Sequence, residues 1–167
     1  MMHNSSVRPT DVLENILSIY GNMLFRYALL MLGNEADAED VIQDTLLKYW
    51  QKAPEFKDKD HEKAWLLTVV TNRCRDILRF RMKHLAIDIE SMTEFQGEIW
   101  EGTSDSGILE ALMTLQEKYR SVLYLYYVEE YRIEDIAGMI GRTTSAVKMR
   151  LKKGRQLLKE KYRKEYM

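Results

Sequence analysis

Apolar residues recur three and four positions apart along most of this chain, and that spacing marks amphipathic helices rather than strands. Ala38, Val41, Ile42, Thr45, Leu46 and Tyr49 form one stripe. Leu66, Val69, Val70, Ile77 and Leu78 form a second, over roughly 62–82. Ile108, Leu112, Leu115, Tyr119, Val122 and Tyr126 step by four and three and predict one helix. Ile133, Ile136, Ala137 and Ile140 predict a short helix, and Val147, Leu151 and Leu158 a last one. Upstream, Val12, Leu13, Ile16 and Leu17, then Leu24, Tyr27, Ala28 and Met31, suggest two more. Only two prolines and eight glycines punctuate the 167 residues. So few breakers disfavour a strand-and-turn protein, and an all-α fold is expected.

The longest apolar runs, "YALLML" (27–32) and "VLYLYYV" (122–128), fall far short of the roughly 20 residues that span a bilayer. The N-terminus lacks a basic segment followed by an apolar one, so no signal peptide and no membrane insertion are expected. A lone Cys74 without any CxxC fits a reducing cytoplasm. It lies between Val70 and Ile77, as a small buried hydrophobe would.

The 25 Lys plus Arg and 26 Asp plus Glu nearly cancel, but they are segregated along the chain. Five acids and no base lie between Asn34 and Asp44, and five bases with one acid between Asn72 and His84. Seven acids and no base fill Leu85 to Glu110, and ten bases with two acids fill Arg142 to Met167. The acidic stretch also loses helical periodicity and carries Gly97, Gly102 and Gly107. It reads as a flexible linker over 84–107, between a domain at 8–83 and another at 108–165. Phe95, Ile99 and Trp100 within it could dock on a neighbouring domain.

The C-terminal block is the most informative. "IEDIAGMI" ends at Gly141, the residue that best ends a helix in a left-handed turn. Thr143 or Thr144 can cap the next helix. Two short helices across such a turn outline a helix-turn-helix. A second helix of about 15 residues fits the B-DNA major groove, about 12 Å wide. Thr144, Ser145 and Lys148, near its start, would meet base edges, while the later Arg150, Lys152, Lys153 and Arg155 would hold phosphates; Arg142 and Thr143 complete the candidate DNA-binding set. A solvated basic face on a bundle helix is the plainer alternative. Gly154 in mid-helix suits close helix packing.

On the other basic helix, Thr68, Asn72, Arg75 and Arg79 share one side. Arginine offers bidentate phosphate contacts, and asparagine both donors and acceptors for a base. The loop before it carries Phe56, Lys57 and His61. An aromatic there could trap an unstacked base. Phe56 alone reads more simply as a core aromatic, and for Asn72 a structural role stands level with base contact. In "NEADAEDVIQD", acids near a helix start favour the macrodipole, yet Glu39, Asp40, Gln43 and Asp44 also decorate an exposed face.

Three segments in order resemble one family. "DAEDVIQDTLLKYW" (37–50) resembles the polymerase-binding segment of bacterial extracytoplasmic-function (ECF) sigma factors. "AWLLTVVTNRCRDILRFRMK" (64–83) resembles their −10 segment, with Asn72, Asp76 and Arg79 at the family's spacing. "YRIEDIAGMIGRTTSAVKMRLKKGRQLL" (131–158) resembles their −35-reading helix-turn-helix, with Ser145, Met149 and Gly154 where Gly, Ser and Ala are common. The resemblance implies a two-domain helical protein without catalysis or cofactor. It would bind the clamp helices of RNA polymerase core through Glu39, Asp40, Gln43 and Asp44, and the β flap is a further implied contact. It would hold the −10 strand with Phe56, Lys57, His61, Asn72, Arg75, Asp76 and Arg79, and read −35 DNA with the C-terminal residues above. An anti-sigma factor is an implied partner, and no accessory domain is expected.

An enzyme is disfavoured: three His and one Cys form no cluster with metal-ligand spacing, and no phosphate-binding glycine motif occurs. No metal site is expected. An independent helix-turn-helix regulator is the remaining alternative, but its sensing domain would not need the basic 72–84 helix.

Overall fold

The computed structural model describes residues 8–84 and 106–166. The expected linker and its Phe95, Ile99 and Trp100 lie outside the described residues, apart from the linker's ends. Among the described residues every element is helical: α1 (Pro9–Leu32), α2 (Glu35–Lys52), α3 (Lys59–His84), α4 (Ser106–Met113), α5 (Glu117–Leu123), α6 (Ile133–Ile140) and α7 (Thr144–Tyr166). A π-helical turn, Tyr124–Val128, continues α5.

Two helix boundaries differ from the periodicity. The two expected N-terminal helices are one, because Gly21 sits on the helix without breaking it and Pro9 occupies the first turn, where its missing N–H costs nothing. The expected single helix from 108 to 126 breaks instead at Thr114–Gln116. There the Thr114 hydroxyl donates to the Ala111 carbonyl at 2.6 Å, and the backbone N–H groups of Thr114 and Leu115 turn back to Ala111 and Leu112. Leu112 and Leu115 are both buried across the break, so the apolar spacing survives while the helix does not.

The helix ends follow local chemistry. Asn34 caps α2 by accepting from the Asp37 N–H at 2.9 Å. Gly33 and Gly141 end α1 and α6 with φ of 66° each, in the left-handed region where a side chain is strained.

The three N-terminal helices pack on one another, and α5, α6 and α7 form a second unit. One buried cluster runs through both, from Ile16 to Leu151. Tyr27 of α1 and Tyr124 after α5 stack at 5.1 Å between ring centroids, both fully or almost fully buried. The Tyr27 hydroxyl lies 2.8 Å from Thr71 Oγ1, so its polar end is satisfied. Two arginines close the C-terminus of α1, whose last carbonyls lack helical partners. Arg81 of α3 donates to Leu32 O at 2.8 Å, and Arg120 of α5 donates to Met31 O at 2.7 Å. Arg81 also pairs with Asp37. Burial lowers the pKa of Arg120 to about 10, and its Nε finds no partner among the described residues.

Candidate nucleic-acid interface

The C-terminal pair of helices is built as the turn chemistry requires. After Gly141, the Thr143 hydroxyl accepts from the Ala146 N–H at 3.1 Å and so caps α7. Of the two threonines it is thus Thr143 that starts the helix, leaving Thr144 exposed. Val147, Leu151 and Gly154 are buried on the inner side. Ser145, Lys148, Lys152, Lys153 and Arg155 are exposed and Arg150 is half-exposed. Arg155 donates to the Tyr127 hydroxyl at 3.1 Å. Helix α7 has 23 residues, longer than the expected 15 or so.

Gly154 has a definite reason. A Cβ placed there would lie 2.8 Å from Leu123 Cδ1 and 3.2 Å from its Cγ. Any side chain here would force Leu123 to shift at this crossing of α5 and α7.

On α3, Asn72 and Arg79 are exposed, and Arg79 lies 3.5 Å from Asp76 one turn earlier. Thr68 is turned back on its own helix, donating to Ala64 O at 2.8 Å. Arg75 is not free: it donates to the Ile140 carbonyl at the C-terminal end of α6. Burial lowers its pKa first, and the neighbouring guanidinium of Arg142 adds to this, with Arg79 and Arg150 contributing. The expected −10 helix and the helix-turn-helix are therefore in contact, a link over 65 residues of sequence that no local pattern reveals.

The loop before α3 is an aromatic cluster. Phe56 is half-buried, stacks on Tyr49 at 6.1 Å and meets Trp65 and His61 edge-on at 5.8 and 5.2 Å. His61 and Lys57 are exposed, and His61 Nδ1 accepts from the Lys57 N–H at 3.2 Å. The carboxylate of Glu62 anchors the cluster by accepting from Tyr20 at 2.9 Å and Tyr49 at 2.7 Å. This packing favours the core reading of Phe56.

Cys74 is buried, unpaired and held well above the usual thiol pKa, chiefly by burial. That environment keeps it a protonated, inert hydrophobe.

On α2, Glu39, Asp40, Gln43 and Asp44 are all exposed. Asp44 accepts from Arg73 Nε at 2.7 Å, so it is braced against α3. Beside this face runs a shallow groove between α1 and α2, lined by Leu17, Phe25, Glu39, Ile42, Gln43 and Leu46. The groove was not evident from the sequence, since its two walls come from different helices.

A capped helix with an apolar inner face and a cationic outer one, entered from a glycine turn, defines a helix-turn-helix DNA-binding protein. Comparison with known proteins narrows the class. Residues 16–84 match Sigma-70 region 2, and residues 106–158 match Sigma-70, region 4. The ECF RNA polymerase sigma factor SigL of Mycobacterium tuberculosis is 33% identical, over 77% of this chain and 76% of its own length. The ECF RNA polymerase sigma factor SigW of Bacillus subtilis is 24% identical over 92% and 90%. The fold is also that of the sigma factor RpoE of Bartonella quintana, solved in complex with the anti-sigma factor NepR (TM-score 0.67, 23% identity, 90% of this chain and 96% of that one). A further likeness is to CnrH, solved in complex with the cytosolic domain of CnrY (TM-score 0.60, 24% identity, 90% and 87%).

The chain belongs to the ECF sigma factors of the sigma-70 family. It is a sigma factor, a transcription initiation protein that binds RNA polymerase core and directs it to promoters through −10 and −35 elements, rather than a regulator acting on DNA alone. Among the described residues no helix is long and apolar enough to cross a membrane.

Proposed function

We propose a division of labour among three surfaces. Residues 108–165 form the −35 reader, with α7 in the major groove. Thr144, Ser145 and Lys148 meet base edges, Thr143 fixes the helix start, and Arg142, Arg150, Lys152, Lys153 and Arg155 hold phosphates. Residues 8–83 hold the −10 non-template strand along α3, through Asn72, Arg75 and Arg79, with Asp76 orienting Arg79. Lys57 and His61 border the strand, and Phe56 supports them from the aromatic cluster. The outer face of α2, Glu39, Asp40, Gln43 and Asp44, docks on the clamp helices of the largest polymerase subunit, and the second domain on the β flap. The groove formed with Leu17 and Phe25 would add apolar contact beside these polar residues.

The observation that carries this reading is the two-sidedness of α7. Its buried Val147, Leu151 and Gly154 leave the cationic side facing outward on a capped, groove-sized helix. The protein itself carries no catalysis; the chemistry of RNA synthesis belongs to the polymerase. It acts in the cytoplasm, with an anti-sigma factor as its regulatory partner, a reading supported by the two solved complexes.

The test is transcription by sigma-free core polymerase supplied with this chain. Glu39→Lys with Gln43→Lys reverses the docking face without touching the Asp44–Arg73 pair. It should abolish promoter-specific transcripts and competition for core while the thermal melt stays near wild type. Wild-type core affinity in the folded double variant would reject the assignment of this face.

A further inference from the structure

The outer side of α7 carries one side chain that its electrostatics do not explain. Met149 is 72% exposed on a face otherwise made of hydroxyl, amide and ammonium groups. With 3.6 residues per turn, each residue advances about 100° around the helix. Met149 then lies roughly 160° from Val147, 160° from Leu151 and 140° from Gly154, the three residues that define the buried side. It sits at the crest of the helix, directly away from the core. Ser145 stands one turn before it and Lys152 and Lys153 one turn after, all exposed. Other exposed apolar side chains, Leu17, Leu47 and Phe80 among them, lie on other helices.

A thioether at this crest would be the first group to reach the floor of the groove that α7 enters. Its flexible, uncharged chain can neither pair with a phosphate nor donate to a base edge. The major groove offers it one apolar partner, the C5-methyl of thymine. Lys152 and Lys153 beside it supply the phosphate attraction that brings the crest down.

We infer that Met149 is a specificity-determining residue of the −35 reader, and that it recognises the methyl group of a thymine. The inference rests on the reading of α7 as the groove-entering helix and adds a base preference to it. Burying one methyl group corresponds to about a fourfold change in binding.

Holoenzyme made from the full chain and core polymerase first selects a promoter from templates with a randomised −35 element. Each thymine of that element, on either strand, is then replaced singly by deoxyuridine, which removes only the methyl group. For the wild type, one replacement should weaken promoter binding about fourfold, the effect of one methyl. Met149→Ser should be indifferent to that replacement, and Met149→Leu should recover the sensitivity. Lys153→Ala should bind more weakly throughout yet keep the methyl effect. If Lys153→Ala binds more weakly but no deoxyuridine distinguishes wild type from Met149→Ser, the role of Met149 is overturned and the groove reading survives. An element selected without any A·T pair has the same meaning. If neither Lys153→Ala nor Met149→Ser alters −35 binding, α7 does not enter the groove and both readings fall.

Discussion

Gly154 of α7 and Leu123 of α5 approach so closely that a side chain on the glycine would require Leu123 to move: a Cβ would stand 2.8 Å from Leu123 Cδ1. Leu123 is itself 1% exposed, so it has little freedom to yield. Gly154→Ala sets two effects against each other. Alanine favours the helix by about 1 kcal/mol, whereas overpacking a core costs about 1–3 kcal/mol. The steric term should win, giving a net loss of about 1–2 kcal/mol in chemical denaturation. Leu123→Ala in the same chain should remove the clash, so the two changes should be strongly non-additive. A simple sum of the two losses would show that the crossing is not tight.

Arg120 brings a buried cation from the second unit to the end of α1. Truncation to alanine strands the Met31 carbonyl and opens a space in the shared core. The expected loss is about 1–3 kcal/mol for the unpaired group, before any cavity effect. Thermal unfolding of Arg120→Ala would register it. A melting temperature equal to wild type would mean that this contact contributes nothing to holding the two units together.

Asn72 is exposed, so Asn72→Ala should change stability by no more than about 0.5 kcal/mol. Its loss should be felt on single-stranded DNA. Permanganate footprinting should show a promoter that is bound but poorly melted, with core binding and −35 binding intact. Normal melting by the variant would return Asn72 to a purely structural role.

Alkali should unfold the protein through its tyrosines. Burial is the first cause that raises Tyr20 to about 12, and it holds Tyr27, Tyr49, Tyr124 and Tyr131 higher still. An unfolded tyrosine ionises near pH 10. Their folded pKa values lie above the unfolded one, so the stability they contribute is complete below about pH 10 and is lost as pH rises through the folded values. Arg120, lowered to about 10, and Arg75, also lowered, work in the opposite sense, two groups against the five tyrosines and the raised Cys74 thiol. Thermal melts taken across this range should fall, with phenolate absorbance rising together with loss of helix. Phenolate formation well ahead of unfolding would contradict the burial.

The helix-turn-helix was legible because its signals are local. Gly141 and Thr143 lie within three residues and each does what its chemistry favours. The α2 and α3 stripes were legible for the same reason. The joining of α1 through Gly21 was not, because a single glycine looks the same in a helix and at a break. The break at Thr114 was hidden by Leu112 and Leu115, which keep helical spacing across it. The partners of Arg75 and Arg120 lie 65 and 89 residues away, and periodicity is blind to such pairs. The Asp44–Arg73 pair likewise required two helices to be set side by side.

The contact between Arg75 and Ile140 sets a limit on reach. The −35 and −10 elements are about 25 base pairs apart by name, roughly 85 Å along a duplex at 3.4 Å per step. With α3 touching α6, the two helical units are closed on each other. The 21 residues between His84 and Ser106 extend to about 75 Å at most. While the two units are closed on each other, the Arg75 guanidinium is committed to the Ile140 carbonyl and is not free for another acceptor.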